Sequence, residues 1–306
     1  MTKRPYTGVW PVAPTAFNDD GSLDLEGMKR ILDLMIDQGV DGICILANFS
    51  EQFLLSDAER ETLTKLCLGH IAGRVPVIVT ISNFATQIVE ERARLASSLG
   101  ASMLMMMPPY HGTGLRADEN STIEHFQRVG KAGGIPIMLQ DAPLSGVQLT
   151  VTQIVRMARE CEQLRYFKIE TPQTAAKLRG LIAEGGALIE GPFDGEEGIT
   201  LMADLNAGAT GSMTSAMIPD LVRPVVVDFR EGRKDAAIEG YRRILPAINF
   251  ENRQCGWRSA KIAMKHGGVI KSDFGRHPTK AVHPETEREL MGLLRELDPL
   301  VLRWAK

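Results

Sequence analysis

The sequence predicts an α/β fold, a (β/α)8 TIM barrel followed by a C-terminal helical appendage, and three observations carry that prediction. Short β-branched or apolar runs alternate with amphipathic stretches, the pattern of parallel β/α architecture. Eight such pairs fit within residues 1–231, the span of a single α/β barrel. Several runs are apolar at nearly every position, as in Ile43-Cys44-Ile45-Leu46 and Val77-Ile78-Val79, which suits a sheet covered on both faces.

Strands are expected at 8–13, 42–47, 76–80, 102–107, 136–140, 166–169, 187–190 and 208–213. The first helix, 23–38, carries Met28, Ile31, Leu32, Met35 and Ile36 as a 3.6-residue stripe, with Ser22 as its N-cap. Ser56-Asp57-Ala58-Glu59 has capping-box spacing and opens the second helix. Further helices are expected at 85–99, 122–132, 152–160, 172–184, 196–206 and 219–231, with Gly39, Gly100, Gly133 and Gly185 as left-handed caps. Beyond Lys234 the strand runs stop while helical periodicity continues at 236–248, 255–264 and 285–297. The chain therefore divides into a barrel over 1–231 and C-terminal helices packed on it over 232–306.

Composition narrows the function. With 35 Lys+Arg against 38 Asp+Glu, the formal charge is −3, which removes any sequence-wide case for nucleic acid or an anionic membrane as partner. The four cysteines, Cys44, Cys67, Cys161 and Cys255, form no C-x-x-C pair and read as reduced thiols. Residues 1–6 lack an apolar leader, and no apolar run approaches the length of a spanning helix. A cytoplasmic protein acting on a small molecule is the expectation.

In a barrel the chemistry sits at the C-terminal strand ends, so eight places need inspection. On the sixth strand Tyr166, Lys168 and Glu170 share one face, while the apolar Phe167 and Ile169 share the other and belong under the helices. That aims Lys168 into the interior, where poor solvation lowers an ammonium's pKa and leaves an amine able to form a Schiff base with a carbonyl. The plainer alternative is a lysine snorkelling to solvent or paired with Glu170. On the fifth strand alternation turns only one of Gln140 and Asp141 inward; an amide orients substrate, a carboxylate moves protons, and either also serves as a turn cap. Asn48, Phe49 and Ser50 follow the second strand as a carboxylate-binding nest or an ordinary polar turn. Tyr110 and His111, after two prolines, are proton relays or packing residues. Asp194, Glu196 and Glu197 offer carboxylates to a divalent metal, although a helix N-terminus explains the two glutamates without one. No histidine pair has ligand spacing, and neither a P-loop nor a G-x-G-x-x-G fingerprint is present, so no metal and no cofactor is expected.

The opening G-V-W-P-V-A-P-T-A-F, the turn at Ala47-Asn48-Phe49-Ser50-Glu51, Pro108-Pro109-Tyr110, Lys168 and Gly208-Ala209-Thr210-Gly211-Ser212 together resemble the dihydrodipicolinate synthase and N-acetylneuraminate lyase family of class I aldolases and dehydratases. The similarity runs essentially end to end, helical appendage included. Three departures matter. Where most members have a catalytic tyrosine in Y-N-x-P, this chain has Gln140-Asp141-Ala142-Pro143. Where many have G-T-T-G-E, Asn48 and Phe49 replace the hydroxyl residues. No arginine follows the proline in Pro143-Leu144-Ser145-Gly146, which argues against dihydrodipicolinate synthesis.

The runs I-L-A-N-F-S-E-Q-F, Q-D-A-P, Y-F-K-I-E and G-P-F-D-G-E-E are similar to the branch that dehydrates 2-keto-3-deoxy sugar acids, 2-keto-3-deoxy-L-arabonate being the implied substrate and α-ketoglutarate semialdehyde the product. The resemblance implies Lys168 as the Schiff-base residue; with the family's tyrosine missing, Glu170, on the same strand face as Lys168, is the candidate acid/base, and Gln140 and Tyr110 are the candidate orienting groups. It further implies Asn48, Phe49, Ser50 and Gly211 around the substrate, and a homotetramer arranged as a dimer of dimers. A pyruvate-dependent aldolase, a metal-dependent lyase on the acidic loop and a non-catalytic sugar-acid-binding barrel are the competing readings.

Overall fold

A computed structural model describes residues 6–112 and 115–305; residues 1–5, on which the expectation about a leader falls, lie outside the described part. Among the described residues the main sheet has eight strands, β1 Gly8–Val9, β2 Ile43–Ile45, β3 Val77–Thr80, β4 Met103–Met106, β5 Ile137–Asp141, β6 Leu164–Ile169, β7 Gly191–Asp194 and β8 Gly211–Ser212, each followed by a helix. A short antiparallel hairpin, Tyr110–His111 with Leu115–Arg116, interrupts the step from β4 to its helix. The fold class is the (β/α)8 barrel. Eight barrel helices, α1 Leu25–Asp37, α2 Asp57–Ile71, α3 Thr86–Ser98, α4 Glu119–Gly133, α5 Val151–Glu160, α6 Thr174–Gly185, α7 Leu201–Asn206 and α8 Pro219–Arg230, precede the terminal α9 Lys234–Phe250, α10 Arg258–His266 and α11 Pro284–Leu297. Among the described residues no helix is long and apolar enough to cross a membrane.

The residues group into two compact units. The first spans Val77–Glu196 and Thr200–Met213, together with the N-terminal residues through Thr7. Its six strands, β3 to β8, pair in sequence order and all in parallel. Met103, Leu104, Met105 and Met106 are fully buried, and so are Ile137, Met138 and Leu139 on the neighbouring strand. Burying each such side chain is worth about 1.5–3 kcal/mol. Thr150 and Gln153 close a capping box on α5.

The second unit holds Gly8–Pro76, Glu197–Ile199 and Thr214–Lys306. In it Val12 bridges in parallel to Cys44 on one side and Ser215 on the other, so the first strand's extension lies between the second strand and the chain leaving the eighth. Ser56 and Glu59 make the expected capping box on α2.

Four local expectations shift. The N-cap of α1 is Asp24, whose carboxylate accepts from the Gly27 N–H; Ser22 instead bonds Asp20 in the preceding turn. The left-handed cap expected at Gly133 falls one residue later, at Gly134, while α6 ends at Gly186, whose φ is positive but whose ψ of −125° is not that of a left-handed helical cap. The π-helical turn Glu251–Cys255 delays α10 to Arg258. The largest shift is β7: residues 186–188 form a 3-10 turn and the strand begins at Gly191. A glycine and a proline there read as loop, yet a Cβ at Gly191 would sit 2.1 Å from the Tyr166 ring. The glycine marks a close strand-to-strand approach.

Candidate active site

In the first unit, pairing between strands brings Gln140, Lys168, Phe193 and Gly211 into one row, because Gln140 pairs with Lys168, Lys168 with Phe193, and Phe193 with Gly211. Paired residues of parallel strands project to the same side of the sheet. The adjoining row is Asp141, Ile169, Asp194 and Ser212. Alternation thus separates two sets of polar groups that stand next to each other in sequence.

Lys168 is 3% exposed. Its Nζ forms an ion pair with Oε1 of Glu170, just beyond the end of β6, and Gln140 Nε2 donates to the same oxygen at 2.8 Å. The pairing with Glu170 that the sequence left open beside the Schiff-base role is present, and the two are compatible. An ammonium in contact with a carboxylate has an acceptor for the proton it must lose before it can attack a carbonyl. Gln140 Oε1 is buried and has no hydrogen-bond donor among the described residues, so it can accept from a substrate hydroxyl.

Of the neighbours Gln140 and Asp141, the structure turns Gln140 toward Lys168. Asp141 pairs with Lys177 of α6 at 2.5 Å. Burial pushes the Asp141 carboxyl up, and Lys177 opposes that shift. Tyr110 lies half-buried on the hairpin, opposite Arg116, with its phenol pushed up by burial to about 12. It is a neutral donor at ordinary pH.

Gly195 is a site residue the sequence did not reveal. A Cβ there would lie 2.7 Å from Cγ of both Lys168 and Glu170. Its own N–H donates to Ile169 O at 3.0 Å, so the backbone at Gly195 forms the wall against which both side chains rest. With β7 expected four residues too early, Gly195 fell in mid-loop. Asp194, grouped with Glu196 and Glu197 as a possible metal ligand, is fully buried in the adjoining row and accepts from Ser212 Oγ. Among the described residues no group of three or more His, Cys, Asp or Glu side chains is placed to hold a metal ion.

The turn after β2 belongs to the second unit. Asn48–Ser50 form one 3-10 turn; Asn48 and Phe49 are half-buried and Ser50 is buried. Ser50 Oγ accepts from the Ala47 N–H and gives its proton to Ala13 O at 2.6 Å, while Thr15 Oγ1 donates to Ser50 O. The hydroxyl expected to meet a carboxylate thus holds the turn together. The Asn48 Oδ1 is taken by Gln52 Nε2. Among the described residues the N–H groups of Asn48 and Phe49 donate to no backbone carbonyl, and they are the donors the turn offers an anion.

The model of the dihydrodipicolinate synthetase family matches residues 5–297. An L-2-keto-3-deoxyarabonate dehydratase from Azospirillum brasilense is 56% identical over 300 residues, covering 98% of this chain and 97% of that protein. A 4-hydroxy-tetrahydrodipicolinate synthase from Streptomyces coelicolor is 27% identical, covering 94% of each chain. Among solved structures, a dihydrodipicolinate synthase from Rhodopseudomonas palustris superposes with a TM-score of 0.86 at 27% identity, over 94% of this chain and 97% of that one.

Proposed function

Because this chain belongs to the dihydrodipicolinate synthetase family, we propose that it is a Schiff-base-forming hydro-lyase of 2-keto-3-deoxy sugar acids, converting 2-keto-3-deoxy-L-arabonate to α-ketoglutarate semialdehyde and water. The observation that carries this reading is the buried Lys168–Glu170–Gln140 cluster, in a chain 56% identical to a dehydratase of that substrate.

The reaction begins with proton transfer from the Lys168 ammonium to Glu170, leaving a neutral amine that adds to the C2 ketone. Glu170 returns the proton to the carbinolamine hydroxyl, which leaves as water as the iminium forms. The iminium acidifies C3; Glu170 removes a C3 proton to give the enamine, then protonates the C4 hydroxyl as the enamine expels it. Loss of a C5 proton gives a dienamine bearing the C5 enol, and a proton returns to C3. Tautomerisation across C4–C5 yields the aldehyde, and hydrolysis of the iminium frees Lys168. The water lost in imine formation is regained there, so one water is released overall. Gln140 Oε1 accepts from the C4 hydroxyl and orients it, and Tyr110 is a further donor. Gly211, which has no side chain, leaves room for substrate in the first unit, and in the second unit the Asn48–Phe49 turn is open to an anion.

The same reading makes the protein a cytoplasmic homotetramer, a dimer of dimers, with the barrel over 1–231 and the helical appendage over 232–306. The four cysteines, all buried and none in a disulfide among the described residues, support a reducing compartment. Sedimentation velocity tests the assembly. The deciding experiment is intact mass after incubation with 2-keto-3-deoxy-L-arabonate and borohydride, with peptide mapping and a parallel product assay. A reduced adduct on Lys168 together with semialdehyde is expected. Pyruvate in place of semialdehyde moves the chain to the aldolases, and activity without an adduct that is abolished by chelator overturns the Schiff-base chemistry.

A further inference from the structure

Beside the lysine row lies a second, wholly buried set of polar groups that the reaction above does not use. Asp194 ends β7 with no exposed surface, and Ser212 on β8 is equally buried. Ser212 Oγ donates to Asp194 Oδ2 at 2.5 Å, and the Glu196 N–H donates to Oδ1 at 3.1 Å. The two carboxylate oxygens thus accept from two different elements, the neighbouring strand and the turn that follows β7. The backbone continues the brace: Met213 N–H donates to Asp194 O at 2.9 Å and Gly195 N–H to Ile169 O at 3.0 Å.

What the brace holds is the Gly195 backbone, which lies so near the two side chains that a Cβ on it would stand 2.7 Å from Cγ of both Lys168 and Glu170. A carboxylate buried this completely is costly to keep, and burial pushes Asp194 up to about 7, with the nearby Asp204 adding to the shift. An apolar residue would fill the same volume without that penalty. A neutral isostere is also a poor substitute at this point. An amide offers one acceptor oxygen and turns its NH2 toward the other donor, so only one of the two bonds survives unchanged.

We propose that Asp194 and Ser212 are positioning residues for the Schiff-base reaction: by fixing the Gly195–Glu196 turn they set the contact between the Lys168 amine and the Glu170 carboxylate. This rests on the reading of Lys168 as the Schiff-base residue. Neither residue touches substrate; they act through the backbone wall. The proton that passes between Lys168 and Glu170 travels a distance this wall controls, and small misplacements of reacting groups lower rates steeply.

The test uses the full-length protein and the variants Asp194→Asn, Asp194→Ala and Ser212→Ala. For each, active sites are counted by borohydride trapping with pyruvate, and kcat and KM for 2-keto-3-deoxy-L-arabonate are expressed per trapped site. Counting sites this way removes any loss that comes from misfolding, so a variant that folds poorly is still informative. The expected result for Ser212→Ala and Asp194→Ala is a fall in per-site kcat of about 10- to 100-fold with KM changed less than about threefold; Asp194→Asn, keeping one of the two bonds, falls between these and wild type. Variants that melt at lower temperature but keep the wild-type per-site kcat overturn the positioning role alone. Failure of the wild type to form any Lys168 adduct overturns the Schiff-base reading, and the positioning role with it.

Discussion

Lys168 and Glu170 meet as an ion pair at the buried end of one strand, and Gln140 from the next strand donates to the carboxylate oxygen that the lysine holds. One carboxylate therefore faces both the amine that must be deprotonated and an amide with a free acceptor oxygen. Where the resemblance leads one to expect a phenol, the chain places an amide beside a carboxylate, and in the proposed reaction proton transfer is assigned to Glu170.

Glu170→Gln separates the two halves of that arrangement. The amide keeps the shape but neither takes the lysine's proton nor returns one to a leaving hydroxyl. Borohydride trapping on Lys168 should remain measurable, at a slower rate, while dehydration falls by about 10²- to 10⁴-fold, the usual worth of a positioned acid/base. Lys168→Ala should lose both. Wild-type turnover in the glutamine variant removes Glu170 from the reaction.

Gly195→Ala is the steric counterpart. The added methyl meets two side-chain carbons at 2.7 Å and the Ile169 carbonyl oxygen at 2.9 Å, and the last of these belongs to a paired strand that gives little. Overpacking of this kind costs about 1–3 kcal/mol. Denaturant titration should show that loss, and kcat should fall further than the same destabilisation does at a site away from Lys168. A variant as stable and as active as wild type refutes the wall.

How much of this is legible in the sequence depends on whether the deciding interaction is local. The stripe from Met28 to Ile36 and the alternation that pairs Lys168 with Glu170 are local patterns, and both hold in the structure. The boundary of β7 is not local: Gly191 and Pro192 read as a break, and only the Tyr166 ring lying against Gly191 makes a glycine the fitting strand residue. Once that strand is misplaced, Asp194 reads as a loop carboxylate instead of a buried brace, and Gly195 is missed. The helix start at Asp24 escapes for a smaller reason, since Ser22 and Asp24 are both good caps and only the bond to the Gly27 N–H chooses between them. Ser50 shows the converse, a residue type suited to binding whose hydroxyl the fold has already used.

Lys261 tests what the C-terminal helices do for the strand-two turn in the second unit. Its ammonium is fully buried, paired with Glu51, bonded to Phe274 O at 2.7 Å and set 4.6 Å from the Phe17 ring centre. Burial pulls it down to about 8, with the Glu51 carboxylate opposing that shift. Removing one partner of such a pair strands the other, which typically costs about 3–5 kcal/mol. Lys261→Met should therefore destabilise by that amount, and adding Glu51→Gln should recover part of it. Additive losses in the double-mutant cycle would show that the two charges do not depend on each other.

Glu251 makes stability depend on pH in a direction opposite to that of a surface carboxylate. It is completely buried, accepts from Ser259 Oγ, and burial pushes it from the usual 4.5 to about 7. Between those values the folded chain keeps a proton that the unfolded chain has lost, so the folded state binds more protons and stability falls as pH rises. Its contribution is fully present below about 4.5 and is lost as pH climbs through about 7. Asp194, raised to about 7, has the same sign. Glu251→Gln cannot ionise, so it should be less stable than wild type at pH 5, where the protonated acid is well bonded. Its deficit should shrink by about 1–3 kcal/mol by pH 8 as the wild type comes to carry a buried charge. Denaturant midpoints measured for both proteins across that range decide the matter, and parallel curves would mean that Glu251 carries the same charge folded and unfolded.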